Sequence, residues 1–513
     1  MSCYFPLGTM LWVLCILQFM LHMAGGCAIE ERIALMRIRS LLVEANSEVP
    51  ASWGLSDDCC SWERVRCNNS TRVSGLNLDS VYVYQTCVRD PCWNLNLTIF
   101  SSFHELQQLD LSWNSALLQN FFSSTSCQKT LFIFHKNFYP GLEGLTKLRY
   151  LNLSGNSLVE NNILESLGKL AFLEVVNFDE TGLRGALQNI ALRNLKNLRD
   201  LSLAGNQMNG SIPASLFELP CLEYLDLSDN LLKGHIHKID LSTNLRNLRE
   251  LRLRSNRLNG SIPASLFELP RLEYLDPAEN LLQGHIPKMN LTGTLKNLRE
   301  LHLGSNRLNG SIPTYLFELP RLKCLDLSGN LLEGNIPINS ASNLCLSLQT
   351  LNLAANNLNG KFDFFWLRNC AKLKEVDLSG NAKLAIDVKF LTSVTPFQLR
   401  ALMLSGCNLD NTIISGPNLF GTQRHLQFLD LSNNFSGSLP NWMFTNEAPL
   451  LYLGLAHNSL VGSLDHLMWQ QQSNLQKINI SMNYFTGQLP MDISSVFPNL
   501  TVLDPSYNNI SGH

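Results

Sequence analysis

The sequence lacks the features that mark several large classes of protein. After residue 27 no stretch reaches the roughly 18 uninterrupted apolar residues of a membrane-spanning helix. Charged residues make up 16% of the 513 residues, the net charge is −3, and no basic stripe runs along the chain. Nucleic acid and anionic membrane surfaces are therefore disfavoured as partners.

Motifs for catalysis are also missing. The sequence has no H-E-x-x-H helix motif, no Gly-rich phosphate loop between a strand and a helix, and no G-x-S-x-G elbow. Ser166-Leu-Gly-Lys169 matches S-x-x-K by chance, and the cysteines show no metal-ligand spacing. We predict a protein that binds and is not an enzyme, with no cofactor and no metal.

Repetition is what the sequence has in abundance. The block from Asn209 to Pro220 returns at 259–270 and, with two changes, at 309–320, so the interval is 50 residues. Within it the shorter pattern L-x-L-x-x-N recurs at steps of 24 and 26 residues. A period near 25 with L-x-x-L-x-L-x-x-N is typical of leucine-rich repeats.

Alignment of the repeats predicts a solenoid of roughly 16 turns, because no single turn can bury its own apolar face. The predicted fold class is an α/β repeat, a right-handed solenoid with a parallel sheet on its concave face. Each turn is predicted to be one short strand followed by a bend, where a buried asparagine amide satisfies unpaired backbone groups. Thr181 and Cys407 replace asparagine at two turns. The aligned asparagines are Asn114, Asn156, Asn206, Asn230, Asn256, Asn280, Asn306, Asn330, Asn356, Asn381, Asn434, Asn458, Asn483 and Asn508.

The amino terminus indicates secretion. Residues 10–21 are apolar and precede the small residues Ala24, Gly25 and Gly26, so residues 1–26 are predicted to be a signal peptide. An uncleaved anchor or a chance apolar start is the alternative, since no Lys or Arg precedes the apolar run. N-x-S/T acceptors for glycosylation support an extracellular location. They are Asn68, Asn69, Asn96, Asn152, Asn209, Asn259, Asn290, Asn309, Asn434, Asn479, Asn499 and Asn509.

Crowded cysteines predict a disulfide-stapled cap over residues 27–72, followed by repeats over 73–513 in about 16–17 turns, the last incomplete. The crowded residues are Cys27, Cys59, Cys60, Cys67, Cys87, Cys92 and Cys127. A helix in the cap is predicted to present an apolar face formed by Ile33, Leu35, Met36, Ile38, Leu41 and Leu42. Cys345 and Cys370 are predicted to be free thiols in the core, and a Cys87–Cys92 pair is a guess.

A family resemblance rests on the cap and on one repeat motif. Cys27, Glu30-Glu-Arg-Ile-Ala-Leu35, Trp53 and Cys59-Cys-Ser-Trp-Glu-Arg-Val-Arg-Cys67 resemble the amino-terminal cap of plant extracellular leucine-rich repeat proteins. The motif Gly-x-Ile-Pro after the asparagine, as in Gly210-Ser-Ile-Pro213, resembles the repeat motif of the same plant class. The resemblance covers residues 27–513 and implies the pairs Cys27–Cys59 and Cys60–Cys67.

Among these families the chain looks most like a plant receptor-like protein. That resemblance implies a ligand-binding ectodomain without a kinase, one membrane helix, and a partner receptor kinase at the plasma membrane in defence or developmental signalling. The chain departs from the family pattern at 508–513, where it stops inside a turn before a carboxyl cap and a membrane helix. Truncation is therefore expected.

The residues between the strand leucines are predicted to form the ligand-binding face, since they point to the concave side. The stacked columns alternate largely in charge, so they either neutralise each other or form a strip for an extracellular peptide, protein or glycan. Arg249, Arg252 and Arg254 are the predicted centre, because three cations share one strand. The predicted contact residues are Arg199, Glu223, Tyr224, Asp226, Arg249, Arg252, Arg254, Glu273, Tyr274, Asp276, Arg299 and His302.

Several features interrupt the repeat. The segment 115–144 is an aromatic insertion, predicted to pack on the solenoid edge or to contact ligand. Pro277 and Pro505 replace a strand leucine and remove a strand donor. Such substitutions are compatible with a non-functional truncated product. The remaining alternatives are a soluble inhibitor or decoy resembling plant polygalacturonase-inhibiting proteins, and an enzyme with a new kind of site.

Overall fold

The computed structural model describes most of the chain, in two compact units, Met1–Leu231 and Leu232–His513. The described residues are 26–82, 93–115, 117–119, 142–158, 163–187, 194–238, 245–288, 295–337, 345–392, 395–409, 422–438, 450–466, 474–489 and 491–511. Four predictions therefore lie outside the described residues: the signal peptide up to residue 25, the Cys87–Cys92 pair, the glycosylation acceptor Asn290, and most of the insertion at 115–144.

The first unit begins with the predicted cap helix, Ile29–Glu44. Two glutamates in its first turn favour the start of the helix, because carboxylates interact well with its amino-terminal dipole. Leu35, Ile38 and Leu42 are fully buried, but Ile33 and Met36 are exposed. The predicted apolar face is thus too wide, because the repeats cover only one side of the helix.

A buried carboxylate fastens the cap helix to the first strand. Glu31 has no exposed surface. Its carboxylate accepts hydrogen bonds from Arg72 Nε at 2.9 Å and from the Val73 backbone N–H at 3.0 Å. Burying a carboxylate is costly unless it is paired and hydrogen-bonded, and both conditions are met here.

Two disulfides close the cap, Cys27–Cys59 and Cys60–Cys67. Between them Trp53 and Trp62 are buried, with ring centroids 5.9 Å apart. The strand Val65–Cys67 pairs antiparallel with Val73–Asn77, which begins the parallel sheet. The cap therefore covers the apolar end of the first turn.

The repeats of the first unit place one strand per turn in a parallel sheet, called here the main sheet of that unit. Its parallel strands are Val73–Asn77, Gln108–Asp110, Tyr150–Asn152, Val175–Asn177, Asp200–Ser202 and Tyr224–Asp226. Lateral strands follow the bends at Asn94–Asn96, Leu117–Gln119, Ser157–Leu158, Arg184–Ala186 and Gln207–Asn209. Short helical segments lie at Cys59–Ser61, Leu97–Ser102, Leu142–Gly144, Ile163–Leu167 and Ala214–Glu218.

The second unit repeats this plan with its own main sheet and lateral sheets. The main-sheet strands are Glu250–Arg252, Tyr274–Asp276, Glu300–His302, Cys324–Asp326, Thr350–Asn352, Glu375–Asp377, Ala401–Met403, Phe428–Asp430, Tyr452–Gly454, Lys477–Asn479 and Val502–Asp504. The lateral strands are Lys233–His235, Arg257–Gly260, Leu281–His285, Arg307–Gly310, Leu331–Gly334, Asn357–Asp363, Lys383–Asp387, Asn408–Leu409, Ser436–Ser438, Ser459–Ser463 and Tyr484–Thr486. Helical segments are Ala264–Glu268, Tyr315–Glu318, Phe364–Leu367, Lys389–Thr392, Leu464–His466 and Ile493–Val496.

The predicted solenoid with a parallel sheet is confirmed, but the prediction of one strand per turn is wrong. A second strand follows the bend, as in Arg257–Gly260, where Leu258 is buried between the exposed Arg257 and Asn259. This alternation is that of a half-buried strand. Gly260 ends the strand with a φ of 77°, and a Cβ there would meet His235 Nδ1 at 2.0 Å.

The asparagine ladder forms as predicted. Asn280 Nδ2 donates to Leu253 O of the preceding turn at 2.9 Å and to Pro277 O of its own turn at 3.2 Å. Its Oδ1 accepts from the Leu258 backbone N–H at 2.8 Å. One amide thus satisfies groups on two turns, which explains why it recurs at the repeat period.

The substituted turns keep most of this arrangement. Pro277 has no N–H, whereas Leu253 and Leu303 at the sister positions donate to the carbonyls of Asp276 and Asp326. Pro277 is nevertheless buried, and its carbonyl accepts from both Asn280 and Asn306. The proline therefore removes one donor without breaking the ladder.

The cysteine prediction for the second unit is wrong. Cys345 and Cys370 are not free thiols but form a disulfide between neighbouring turns, at a sequence separation of 25. Residues one repeat apart stack directly on each other, so their Cα atoms lie 5.2 Å apart, within the range that a disulfide requires. Among the described residues the free cysteines are Cys221, Cys324 and Cys407.

Candidate ligand-binding face

The outward side chains of the main sheet in the second unit form the candidate ligand-binding face. Along each strand a central apolar residue, usually a buried leucine, alternates with two outward residues, so that Glu250 and Arg252 flank the fully buried Leu251. The strands pair in register, with Arg252 opposite Asp276 on the next turn. Outward residues of successive turns therefore stack in columns, as the sequence predicts.

The residue just before each main-sheet strand forms one of these columns. Around Glu273 this column is an ion-pair ladder. Glu273 lies between two arginines, with Oε1 3.4 Å from Arg249 Nη1 and Oε2 3.1 Å from Arg299 Nε. All three side chains remain partly exposed, so each pair contributes about 0.5 kcal/mol or less. This geometry favours the predicted alternative in which the charges neutralise each other.

Arg249, Arg252 and Arg254, the predicted centre of the face, each lie beside an acidic side chain. Arg249 pairs with Glu273, Arg252 Nη2 lies 3.0 Å from Glu250 Oε2, and Arg254 pairs with Glu279. Sequence reasoning missed Glu250 and Glu279. Glu250 lies two residues before Arg252, and residues at that spacing share a strand face, so the signal was present.

The last residue of each main-sheet strand forms another column. Its structural role was not predicted from the sequence. At most turns an Asp or Asn at the strand end accepts a hydrogen bond from the backbone N–H two residues later, as an Asx turn. In the second unit these acceptors are Asp276, Asp326, Asn352, Asp377, Asp430, Asn479 and Asp504. Asp276 is only 5% exposed. Asp276 therefore has a structural role in the turn.

Arg252 and His302 stand at the same strand-end position, where most other turns of this unit have an Asp or Asn. The Arg252 guanidinium carbon lies 4.3 Å from the centroid of the Tyr274 ring. On the opposite neighbouring turn, the His302 ring centroid lies 5.4 Å from that of Tyr274. The main sheet therefore brings Arg252, Tyr274 and His302 together in a stack of three side chains across three turns, called here the Arg–Tyr–His stack.

Carboxylates border the Arg–Tyr–His stack. His302 Nε2 lies 3.2 Å from Glu300 Oε2. The Tyr274 hydroxyl donates to Asp276 Oδ2 at 3.3 Å. Partial burial, reinforced by the charge of Asp276, raises the pKa of Tyr274 to about 12, so the phenol is neutral and serves as a donor.

Cys324 lies two strands after Tyr274, at the equivalent position of the strand Cys324–Asp326. Burial, together with the nearby Glu300 and Asp326 carboxylates, raises the pKa of the Cys324 thiol to about 12. The thiol is therefore protonated at physiological pH and is a poor nucleophile. At this position the cysteine fills space instead of reacting.

The first unit contains a simpler version of the same face. Arg199 Nη1 lies 3.4 Å from Glu223 Oε1, and the Tyr224 hydroxyl donates to Asp226 Oδ2 at 3.0 Å. Asp226 is 8% exposed and accepts from the Ser228 backbone N–H. Asp226 thus has the role that Asp276 has in the second unit.

Metal-binding clusters and membrane-spanning helices are both absent from the described part of the chain. There, no group of three or more His, Cys, Asp or Glu residues is arranged to hold a metal ion. Nor does any helix within those residues combine the length and the apolar character needed to cross a bilayer.

Family profiles match the cap and the repeats. The profile described as Leucine rich repeat N-terminal domain matches residues 28–68. Those described as Leucine rich repeat match residues 185–232, 147–170, 247–269, 297–319, 321–343 and 474–496. The chain is a leucine-rich repeat protein.

Its similarity to receptor-like proteins extends over nearly the whole chain, which confirms the predicted resemblance. Receptor like protein 21 from Arabidopsis thaliana is 39% identical over 98% of this chain and 49% of its own length. Receptor-like protein 9b from the same plant is 39% identical over 94% of this chain and 43% of its own length. The chain thus spans about half the length of these relatives.

Solved ectodomains share the fold. The ectodomain of the plant membrane receptor kinase GASSHO1/SCHENGEN3 from Arabidopsis thaliana, in complex with CASPARIAN STRIP INTEGRITY FACTOR 2, has a TM-score of 0.70 and 29% identity, over 93% of this chain and 56% of that chain. The plant peptide hormone receptor RGFR1, in complex with RGF2, has a TM-score of 0.58 and 26% identity, over 88% of this chain and 84% of that chain.

Proposed function

We propose that this leucine-rich repeat protein is the extracellular ligand-recognition part of a plant receptor-like protein and that it binds a peptide or protein on the main sheet of its second unit. The similarity to receptor-like proteins supports the receptor role. Two solved structures with the same fold are complexes with CASPARIAN STRIP INTEGRITY FACTOR 2 and with RGF2, which supports a peptide or protein as ligand.

The Arg–Tyr–His stack is the observation that carries this proposal. At most other strand ends of this unit an Asp or Asn is held by its own turn, whereas Arg252 and His302 stand at that position and flank Tyr274. Tyrosine and arginine are enriched among residues that contribute most to binding, because they bury large rigid surfaces and donate several hydrogen bonds. The stack has the composition of such a centre.

The charges around the stack define the ligand chemistry. Glu250 and Glu300 have side chains 38% and 43% exposed, and the Arg252 side chain is 36% exposed. A ligand therefore meets the positive Arg252 and the negative Glu250 on one side of an aromatic ring and the negative Glu300 on the other side. A peptide with mixed charge and one apolar or aromatic side chain fits this surface better than a polyanion or a polycation.

Substitution of the stack tests the proposal. A pool of synthetic peptides with the sequences of secreted plant peptides is tested for binding to the secreted full chain. For any peptide that binds, Arg252→Ala with His302→Ala is expected to weaken affinity at least about tenfold, as truncation of a binding centre does. Arg257→Ala with Arg307→Ala, which changes exposed residues of the lateral strands, is the matched control.

The two variants separate the possible results. Loss of affinity in the lateral variant, with none in the stack variant, would contradict the proposed face. Failure of every peptide in the pool to bind, while the folded protein keeps its thermal unfolding temperature, would contradict the peptide class. In this proposal the bound receptor signals through a partner receptor kinase at the plasma membrane, in defence or development.

A further inference from the structure

The N-x-S/T acceptors fall into two structurally different classes. In some, the asparagine is an exposed residue of a lateral strand. In others, the asparagine belongs to one of the two columns that hold the turns together, the asparagine ladder or the Asx-turn column. Attachment of a glycan replaces one of the two N–H groups of the asparagine Nδ2 and places a large polar group on that atom. The two classes therefore differ in whether the folded chain tolerates a glycan.

Asn434 belongs to the asparagine ladder of the second unit. Its Nδ2 donates to Leu404 O of the preceding turn at 2.9 Å and to Leu431 O and Ser432 O of its own turn at 3.2 and 2.7 Å. A glycan on Nδ2 would remove a donor and occupy the space between the two turns. Buried carbonyls without a donor cost about 1–3 kcal/mol each, so the modified chain is penalised on folding.

Asn479 and Asn152 belong to the Asx-turn column, in the second and the first unit respectively. The Asn479 Oδ1 accepts from the Ser481 backbone N–H at 3.1 Å and from the Ser481 hydroxyl at 2.7 Å. The Asn152 Oδ1 accepts in the same way from Ser154, at 3.1 and 2.8 Å. Both serines are buried. In both triplets the serine that completes the acceptor motif is thus hydrogen-bonded to the acceptor asparagine itself.

Asn259 and Asn309 are the opposite case. Each is exposed on a lateral strand of the second unit, and the serine two residues later, Ser261 or Ser311, is exposed as well. Both strands pair with the strand Leu281–His285 between them. Asn259 lies opposite Leu281 and Asn309 opposite His285, so the two asparagines are two strands apart and also offset along the strand direction.

We propose that Asn259 and Asn309 carry N-linked glycans, whereas Asn434, Asn479 and Asn152 stay unmodified in the secreted protein. The glycans cover the lateral strands of the second unit around Arg257–Gly260 and Arg307–Gly310. Asn479, the acceptor on the main sheet of that unit, remains bare, so that face stays open to a protein partner. This inference doesn't depend on which ligand binds.

Serine variants test the assignment, because they remove the acceptor motif and leave the asparagine in place. The full chain is produced through a plant secretory pathway, and its glycopeptides are mapped by mass spectrometry after enzymatic deglycosylation in heavy-oxygen water. Ser261→Ala and Ser311→Ala are each expected to lose one glycan, seen as one step in gel mobility. Ser436→Ala, which removes the motif at Asn434, is expected to leave mobility unchanged.

A second comparison separates the structural role of Asn434 from modification. Asn434→Gln is expected to lower the thermal unfolding temperature, since the longer side chain cannot place its amide in the ladder, whereas Ser436→Ala is expected not to lower it. A glycan found on Asn434, Asn479 or Asn152 in the secreted protein would overturn the inference. So would a secreted protein that carries no glycan at Asn259 and Asn309.

Discussion

Glu31 joins the cap helix to the first main-sheet strand. Its carboxylate is fully buried and bonds both Arg72 and the backbone of the first main-sheet strand. Glu31→Ala leaves the Arg72 Nε and the Val73 N–H without their acceptor, while Arg72 Nη2 keeps Glu30. We expect a loss of about 3 kcal/mol in the stability of the cap, the cost typical of breaking a buried charge pair.

Glu30 supplies the matched control for that prediction. Its carboxylate lies 3.0 Å from Arg72 Nη2, but its side chain is 51% exposed. Exposed pairs contribute about 0–1 kcal/mol, so Glu30→Ala is expected to change little. The measurement is amide hydrogen exchange of the segment 73–77. Equal exchange rates in the two variants would show that burial of Glu31 isn't what holds the cap.

Single residues also show how far the sequence predicts the candidate site. The asparagine ladder was predictable, because an amide that repeats with every turn must satisfy groups that every turn exposes. The Asx-turn column was missed, although Asp326 and Ser328 show the spacing that signals it. The stack of Arg252 on Tyr274 was not predicted either, since side-chain directions depend on how neighbouring turns are offset.

At the scale of elements, the Cys345–Cys370 disulfide ties two neighbouring turns of the second unit. Cys345→Ser with Cys370→Ser opens a loop with a sequence separation of 25 residues. Chain-entropy arguments give about 3 kcal/mol for a loop of this size. We expect the double variant to unfold at a lower temperature, and peptide mapping without reductant to recover the linked pair from the natural chain.

Cys324→Ser is the control for this element, because Cys324 is a free, half-buried thiol on the main sheet. It is expected to unfold within a degree or two of the natural chain, since a single near-isosteric change at a partly exposed site costs little. Alkylation of both Cys345 and Cys370 in the folded, unreduced protein would contradict the assignment of the disulfide.

The spacing of these cysteines carried a signal that the sequence analysis didn't use. Two residues one repeat apart stack on neighbouring turns, so a separation of 25 in a chain with a period near 25 favours a disulfide over two free thiols. The lateral strands were missed for a different reason. Their pattern, as in Arg257-Leu258-Asn259, is too short to distinguish a strand from a loop without the neighbouring turns.

At the scale of the whole molecule, both units use the same two columns, the asparagine ladder and the Asx turn, to hold their turns together. The polar residues of these columns are hydrogen-bonded within the turns, although composition alone would count them as available for a ligand. What remains for recognition is the set of departures from the columns, of which Arg252 and His302 in the second unit flank an aromatic ring. We therefore propose that recognition is concentrated where the repeat is least regular.

The most direct test of this account is hydrogen exchange of the secreted full chain with and without a saturating peptide ligand from the synthetic pool. The account predicts slower exchange in the main-sheet segments Glu250–Arg252, Tyr274–Asp276 and Glu300–His302, because a ligand on the Arg–Tyr–His stack shields and rigidifies them. The lateral strands Arg257–Gly260 and Arg307–Gly310 are expected to exchange as before. Protection confined to those lateral strands would contradict the central claim.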